Sequence, residues 1–498
     1  MHPHDKTQSM CVSQGPQYRS ADENMILSIA EIWQGITGQQ LDDPRAAEFG
    51  FEDAVVDSRL AKEDTLFIAL RGEKDDGHNY VGHAFEHGAS AAIIDTVVDG
   101  VPLIVDTTQR PLTPPPDLFT PPVCLLVEDT LKALQDVAAY HRRQFDVRVI
   151  GITGSIGKTT TKEAIHSMLS KSFPTLKSEE NLNNEIGLPL TLLGLDETHA
   201  KVVLELGMYA LGEIAELAAI ALPQVGVVTN VSQSHMEQLG TLDRIAQAKG
   251  ELVQALPPEG TAILNGDDPR VKAMSGMTEA QVLYYGLSPH CHLRASHIES
   301  RGLDGVRFRM HYGRETLHVK VPLLGRHSVH TALAAAAVGV TEGQPWGQIV
   351  AGLRDVAVQL RLIATPGIRG STIIDDSYNA SPTSSLAALN LLAELEGRKI
   401  AVLGDMLELG SFEEEGHRKV GRRVVAVVDK LVTVGALGAM IGWEAIAIGM
   451  PKSDVLFAEN NQQAIEVLQD LVAPGDLILV KGSRGMQMEE IVAELGEK

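Results

Sequence analysis

Short apolar runs separated by amphipathic stretches set the pattern of this chain from Met25 onward. MILSIAEIWQGITG reads as a strand start or a short helix that stops at a glycine. Between Asp57 and Asp95 come a strand-like run (TLFIAL), a polar turn (RGEKDDGHNY), a helix (VGHAFEHGA) and another strand (SAAIID), which make one αβ unit. RPLTPPPDLFTPP carries too much proline for a helix or central strand and predicts an exposed loop near a boundary. A helix, DTLKALQDVAAYHRRQF, then leads into VRVIGIT. Beyond it KVVLEL, VGVVTN and TAILNG are apolar strands, each followed by a polar turn or helix. Strands apolar on both faces, alternating with helices, predict a parallel sheet covered on both sides. Between about Val282 and Val321 the pieces shorten to VRFRMHYGRETLHVKV, an antiparallel meander, and the Ala-rich helix HTALAAAAVGVTEG follows. A second α/β run starts near Thr372, with STIIDDS, RKIAVLGD, KLVTVG, VLFAEN and DLILVKG as strands. The expectation is an α/β protein of three globular pieces in series, without solenoid repeats.

Composition sharpens this picture in three places. A chain of 498 residues exceeds one hydrophobic core, so two to four domains are expected. Aromatic residues make up only 4%, which suits α/β layers better than an aromatic-rich sandwich. Lys and Arg number 42 against 65 Asp and Glu, a formal charge of −23 whose ordinary meaning is solubility. That field repels nucleic acid and anionic membrane, so a nucleic-acid partner is not expected, and a phosphorylated substrate needs a local basic or N–H cradle. Cys11, Cys124 and Cys291 form no CxxC pair, so neither a zinc site nor a disulfide framework is expected and a reducing cytoplasm fits. No apolar run is long enough to span a bilayer, so no membrane insertion is expected. Residues 1–24 are polar, lack the apolar centre of a signal peptide and are expected to be a disordered extension.

Chemistry concentrates first at GITGSIGKTT, residues 151–160, after an apolar strand and before a helix. Small residues let backbone N–H groups turn inward there, and a helix N-terminus adds its dipole, which together make a phosphate cradle. Gly154, Ser155 and Gly157 form the turn, Lys158 would hold the β- and γ-phosphates, and Thr159 would offer a hydroxyl to Mg²⁺. The spacing departs from the usual Walker pattern, since two residues separate Gly154 from Gly157 and five separate Gly151 from Gly157. Downstream, Glu205 ends the strand KVVLEL as a second Mg²⁺ ligand, and Asn230 and His235 lie just past VGVVTN. In an open parallel sheet the loops at strand carboxyl ends form the ligand crevice, so these residues share a site with Lys158. Spacing alone makes Lys249 a solvated lysine.

The ordered set GITGSIGKTTTKE, NLNNEIGLPLTLL, LELGM, TNVSQSHMEQLG, AKGEL, LNGDDPRV, DDSYNASPTSSLAAL, LGDMLELG and VKGSRGMQMEE resembles the Mur ligases of bacterial cell-wall synthesis. Within them it is most similar to the branch that adds a dipeptide. YNASPTS stands where the branch adding the third amino acid has His-Thr-Pro-Asp, and that branch's Asn-Pro-Arg motif is missing. The resemblance runs from about Met25 to the C-terminus. It implies a UDP-sugar-binding domain at 25–127, a central ATP-binding domain at 128–357 and a Rossmann-like domain at 358–498 that receives the incoming amine. It implies ATP and Mg²⁺, with D-alanyl-D-alanine joined to UDP-N-acetylmuramoyl-tripeptide through an acyl phosphate, in a cytoplasmic monomer.

Residue by residue, the resemblance assigns Lys158 and Thr160 to the ATP phosphates, and Thr159 and Glu205 to one Mg²⁺. His235 helps bind a second, and Lys249 matches a lysine carbamylated in many relatives. Asp376, Tyr378 and Asn379 reach the ribose and phosphates, and Arg361 lies at the hinge into the last domain. Ser58 and Arg59 lie near the UDP end of the sugar nucleotide, and Asn183, Asn184 and Glu185 face the tripeptide. Departures occur at Ile156, where relatives have Asn, and at His327, Ser328, His330 and Thr331, where Ser328 and Thr331 replace two asparagines near the adenine. Two other readings remain: a Mur-type ligase with a different amine donor, such as another amino acid or D-Ala-D-Lac, and a P-loop nucleotide-binding protein that ligates nothing. DDSYNAS and GDMLELG argue against the second, since a switch needs no second α/β domain with ribose-binding residues.

Overall fold

The protein, seen here as a computed structural model, is described for residues 25–72, 75–101, 103–109, 114, 116–179, 181–233, 236–356 and 363–497. The expected N-terminal extension, His235 and Arg361 lie outside the described residues. The chain divides into two units, one running to Gln144 with Leu192–Leu195 added, the other made of Phe145–Thr191 and Asp196 onward.

In the first unit, strands β1 (Leu27–Ser28) and β2 (Gly50–Phe51) pair antiparallel around helix Ile29–Thr37. Ser28 starts that helix. Its Oγ accepts from Glu31 N at 3.3 Å, and Glu31 Oε2 accepts from Ser28 N at 2.8 Å, so two otherwise orphaned donors are satisfied. Both readings of MILSIAEIWQGITG therefore hold, a strand start running directly into a helix. Strands β3 (Asp53–Val55), β4 (Thr65–Ile68), β5 (Ala89–Ile94), β6 (Ile104–Asp106) and β7 (Val123–Leu126) form a parallel sheet in the order β3-β4-β5-β7-β6. TLFIAL and SAAIID are β4 and β5. Helix Thr130–Arg142, which a boundary at 127/128 assigns to the next domain, packs on helix Ile29–Thr37 within this unit.

The second unit holds two sheets. The larger has nine strands: β8 (Arg148–Thr153), β9 (Thr175–Lys177), β10 (Lys201–Glu205), β11 (Val225–Val228), β12 (Thr261–Asn265), β13 (Gln281–Gly286), β14 (Leu293–Ser300), β15 (Val306–Tyr312) and β16 (Glu315–Val321). Their order is β16-β15-β14-β13-β12-β11-β8-β10-β9. Strand β8 lies between β10 and β11, so the chain leaves it to one side and returns on the other. Such a reversal opens a crevice at the carboxyl ends of the strands. The meander begins one strand later than its sequence suggests, because β13 pairs parallel with β12 along its length and touches β14 only at Tyr285 and Gly286.

Beneath the meander, Leu293, Phe308, Met310, Val319 and Val321 meet helices Lys158–Leu169 and Ser328–Thr341 in one core. Alanines 334–337 of the second helix are fully buried, which brings its backbone close to the first. Helix Trp346–Arg354 packs there too: a Cβ on Gly352 would lie 2.3 Å from Met168 Cα.

The smaller sheet contains β17 (Ile363–Gly367), β18 (Ser371–Asp375), β19 (Lys399–Gly404), β20 (Lys430–Val434), β21 (Val455–Ala458) and β22 (Leu477–Lys481), ordered β17-β18-β22-β19-β20-β21. Five of these match the predicted run. Strand β17 is the addition: it contains Pro366, which reads as a breaker yet is tolerated on an antiparallel edge strand.

The Ser28 cap gives a direct check of the first unit. Ser28→Ala is expected to lower its stability by about 1 kcal/mol. Urea unfolding read from buried Trp33, in a background with Trp346 and Trp443 changed to Phe, measures it. An unchanged midpoint would mean that the cap contributes nothing.

Candidate active site

At the end of β8 the backbone turns through residues 154–157 into helix Lys158–Leu169. Gly154 has φ +148°, and a Cβ there would sit 1.9 Å from Thr229 Oγ1. The loop is tied to the segment after β11. Ser155 N donates to Asn230 O at 3.0 Å, and Ser155 Oγ accepts from Ser232 N at 2.9 Å. Ile156 is held at both ends of its backbone: its N–H donates to Asn230 Oδ1 at 3.1 Å, and its carbonyl accepts from Asn230 Nδ2 and Thr229 Oγ1, both at 2.8 Å. The isoleucine that replaces asparagine thus keeps its place through peptide groups that any side chain would leave available. Lys158 Nζ reaches back to Gly154 O at 3.1 Å, across the mouth of the loop.

One helical position on, Thr159 Oγ1 donates to Glu205 Oε2 at 2.8 Å. Glu205 closes β10, is 2% exposed, and accepts from Asn183 Nδ2 at 2.9 Å through its other oxygen. The Asn183 side chain is therefore engaged with this carboxylate. Asn184 Oδ1 accepts from Gly187 N at 2.9 Å at the start of helix Gly187–Leu193, while Glu185 is exposed. Among the described residues no group of three or more His, Cys, Asp or Glu converges on a metal position. Thr159 and Glu205 do fit a Mg²⁺ ion, which takes few protein ligands and keeps several waters.

Lys249, on helix Leu242–Gln254, corrects the reading from spacing. It is not solvated but 1% exposed. Burial pushes its ammonium pKa well below the ordinary lysine value, and the charge of Lys158 pushes it further. A lysine in that state gives up its proton more readily than a solvated one.

His327, Ser328 and Thr331 lie at the beginning of helix Ser328–Thr341. The Ser328 hydroxyl donates to Leu324 O one turn back, so only its lone pairs are left for a ligand. His330 Nε2 contacts Asp267 Oδ2 at 2.8 Å. The His327 pKa is lowered to about 4, by burial first and then by His330 and Lys481, so its ring is neutral at pH 7. A cavity of about 400 Å³ opens beside it, lined by Gly325, His327, Asn390, Leu391 and Arg423 among others.

The carboxyl end of β18 carries the remaining group. Asp376 Oδ2 pairs with Lys481 Nζ at 2.7 Å, and the same ammonium donates to Asn379 O at 2.8 Å. Lys481, only 2% exposed at the end of β22, thereby fixes the loop from two sides. Tyr378 lies under the Arg484 guanidinium, 5.1 Å from its ring centre. VKGSRG marked this place in the sequence without singling out Lys481 or Arg484; an apolar strand ending in lysine was the available signal. Tyr209 was missed as well. It is half-exposed just past the end of β10, and its phenol pKa is raised by partial desolvation first and then by the charges of Glu408 and Glu185. In the first unit, Arg59 binds Asp57 through Nε and Nη2, which lowers the Asp57 pKa to about 2. Ser58 is buried with its Oγ 3.1 Å from His83 Nδ1.

Known proteins carry the same arrangement of sequence. Residues 152–339 match the Mur ligase middle domain and residues 360–484 the Mur ligase, glutamate ligase domain. A UDP-N-acetylmuramoyl-tripeptide–D-alanyl-D-alanine ligase of Bacillus subtilis (strain 168) is 37% identical over 95% of this chain and 98% of its own length. The enzyme of that name in Escherichia coli (strain K12) is 33% identical over 91% of this chain and 95% of its own. Among solved structures, MurF from Acinetobacter baumannii superposes with a TM-score of 0.80 at 29% identity, covering 95% of this chain and 99% of that one. MurF ligase from Thermotoga maritima in complex with ADP gives 0.75 at 26% identity, covering 89% and 96%.

Two substitutions test the site. Gly154→Ala drives a methyl group into Thr229, and ADP binding by calorimetry is expected to weaken at least about tenfold, the effect of losing a few well-placed hydrogen bonds; unchanged affinity would show that the loop is not the cradle. Lys249→Met removes a group whose folded pKa is depressed. Between that pKa and the ordinary value of 10.5 the unfolded chain binds the extra proton, so lysine makes stability rise with pH across this window. The methionine variant is expected to flatten that slope and to melt higher at pH 7, read by scanning calorimetry at several pH values.

Proposed function

The chain belongs to the Mur ligase family, and we propose that it joins D-alanyl-D-alanine to UDP-N-acetylmuramoyl-tripeptide, converting ATP to ADP and phosphate. The observation that carries this reading is the conjunction at the carboxyl edge of the sheet: the Gly154–Gly157 loop with Lys158, the Thr159–Glu205 pair and buried Lys249.

The chemistry asked of the site is the activation of a poor electrophile. The terminal carboxylate of the tripeptide attacks the γ-phosphorus of ATP, the bond to the β-phosphate oxygen breaks, and an acyl phosphate and ADP result. The amine of the dipeptide then adds to the acyl carbon; the tetrahedral intermediate expels inorganic phosphate, and the amine's proton is lost. Both steps gather negative charge on phosphate oxygens, so positioning and fixed positive charge make up most of the catalysis.

In this reading the loop N–H groups, Ser155, Lys158 and Thr160 hold the ATP phosphates. Lys249's neutral amine adds to carbon dioxide, forming an N–C bond and releasing one proton, and the carbamate becomes an anionic oxygen ligand. Thr159 and Glu205 would hold one Mg²⁺ and His235 would help hold a second, with carbamylated Lys249 as a further ligand, and the ions would supply positive charge at the phosphate oxygens. His327, Ser328 and Thr331 take the base; Asp376, Tyr378 and Asn379, steadied by Lys481, take the ribose and phosphates with Arg361. Ser58 and Arg59 take the uridine diphosphate end, and Asn183, Asn184 and Glu185 the peptide. Domains at 25–127, 128–357 and 358–498 divide these tasks among sugar nucleotide, ATP and dipeptide. No helix among the described residues is long and apolar enough to cross a membrane. The reading places the enzyme in the cytoplasm as a monomer.

The test is phosphate release from ATP by the purified chain with Mg²⁺, UDP-N-acetylmuramoyl-tripeptide and D-alanyl-D-alanine, each omitted in turn. Release is expected only with all of them present, accompanied by the pentapeptide mass. Lys158→Met is expected to lower kcat by about 10²–10³, the scale of losing one charge-stabilising donor. ATP turnover indifferent to both substrates would overturn the reading.

A further inference from the structure

The outer face of the β14–β16 meander is at odds with the charge of the chain. Its inner face belongs to the core, but the outward positions carry cations in register. Arg307 lies opposite Lys320 on β16 and Glu299 on β14, Arg309 lies opposite His318, and Arg294 opposite His311. Of these pairs, Arg307 and Lys320 are like charges set directly opposite each other, which destabilises a sheet. A chain with 65 acidic residues could neutralise them readily. Elsewhere it does: Arg45, Arg71, Arg270, Arg398, Arg418 and Arg422 all hold carboxylates. Among the described residues none of Arg294, Arg307, Arg309 and Lys320 takes part in an ion pair, and Glu299, the carboxylate on this face, pairs with Arg301.

The backbone adds a second sign. The β14–β15 register shifts between Ser296 and Glu299, and at this bulge His297 adopts φ +50°. Bulges re-aim side chains, and a non-glycine residue held in the left-handed region is strained. Here the strain leaves His297 exposed beside Ser296, whose Oγ lies 3.0 Å from His297 Nδ1 and 2.7 Å from His311 Nε2. The His311 pKa is lowered, by burial first and then by Arg294, His297 and Arg309, as a positive local field requires.

We propose that this face docks the chain, reversibly and without insertion, on an anionic bilayer surface. Strand spacings of about 4.8 Å and alternate-residue spacings of about 6.8 Å make the array roughly 10 Å by 14 Å, the scale of a few phosphate headgroups; at its Arg294–His311 end it borders a cavity of about 880 Å³. The outward positions of β15 and β16 bear no apolar side chain and none of Phe, Tyr or Trp; their rings are the imidazoles of His311 and His318. Insertion therefore lacks a wedge, and single-stranded nucleic acid lacks a stacking platform. The repulsion of the other charges is screened beyond about 8 Å at physiological salt, whereas the patch acts at contact.

The full-length chain is sedimented with vesicles of phosphatidylglycerol and phosphatidylcholine in equal parts, and with phosphatidylcholine alone. Partition is expected to favour the anionic vesicles at least about tenfold at about 0.15 M salt, where the rest of the chain's charge is screened, a modest return from four arginine and lysine side chains on an acidic protein. The preference is expected to vanish in about 0.5 M salt and in the double variant Arg307→Glu, Arg309→Glu, whose phosphate-release rate with soluble substrates stays at the parent value. Equal partition, or a variant that still favours anionic vesicles, overturns the proposal. It also falls if vesicles are ignored while a fluorescent oligonucleotide binds with the same variant sensitivity, or if light scattering gives a dimer that the variant dissociates. The ligase assay does not enter the vesicle measurement, so failure of the proposed activity and failure of the docking surface are read separately.

Discussion

The clasp between Asn230 and the peptide groups of Ile156 is the interaction on which the active site is built. A phosphate cradle needs several N–H groups turned toward one point, and a glycine-rich loop left to itself would sample many shapes. Here one carboxamide accepts the N–H and donates to the carbonyl of a single loop residue, while Thr229 presses against Gly154. Asn230 is in turn held by its place after β11, next to β8 in the sheet, and Asn265 Nδ2 donates to Thr229 O at 2.8 Å to fix that segment from β12. The loop is thus set by three neighbouring strands, and Lys158 and Thr159 inherit their positions from it.

Most of the architecture was legible in the sequence because a strand buried on both faces leaves a simple signature, an apolar run bounded by polar turns. TLFIAL, KVVLEL, TAILNG and DLILVKG all obey it. Where pairing rather than composition decides, the signature fails. Nothing in QVLYYG distinguishes the last parallel strand from the first piece of a meander, and Pro366 hides an edge strand that only a neighbour can reveal. The same divide runs through the site. Lys158, Thr159 and Glu205 were readable from their positions at strand and helix ends. Lys249 was not, because a lysine on an amphipathic helix looks solvated until the surrounding elements close over it, and the resemblance to the Mur ligases supplied what the spacing withheld. Lys481 and Tyr209 become visible only when distant segments meet. His235 and Arg361 fall outside the described residues and keep their standing as expectations.

Electrostatics in this molecule works by local exclusion of the general rule. The chain is strongly acidic, yet its phosphate loop faces a lysine on the helix that follows, and a second lysine near it has its pKa pushed well down by burial. Two positive charges so close repel, and the Lys158 charge adds to burial in disfavouring the second ammonium. Under the proposed carbamylation that amine would take on a negative group beside the Lys158 ammonium, so the same pair of side chains would serve opposite signs.

The helices packed under the sheet have a mechanical consequence. Alanines 334–337 keep side-chain thickness small on their helix, and Gly352 brings its own backbone against Met168 of helix Lys158–Leu169. With Ile165 and Met168 fully buried between them, the interface has little room to be compressed or gradually re-registered. Helix Ser328–Thr341, which begins next to His327, and the helix that begins with Lys158 therefore behave as a single stiff beam. With the base at His327 and the phosphates at Lys158, as proposed, the distance between the two ends of the nucleotide would be gauged against that beam, and any compliance used during a catalytic cycle would have to be found outside it.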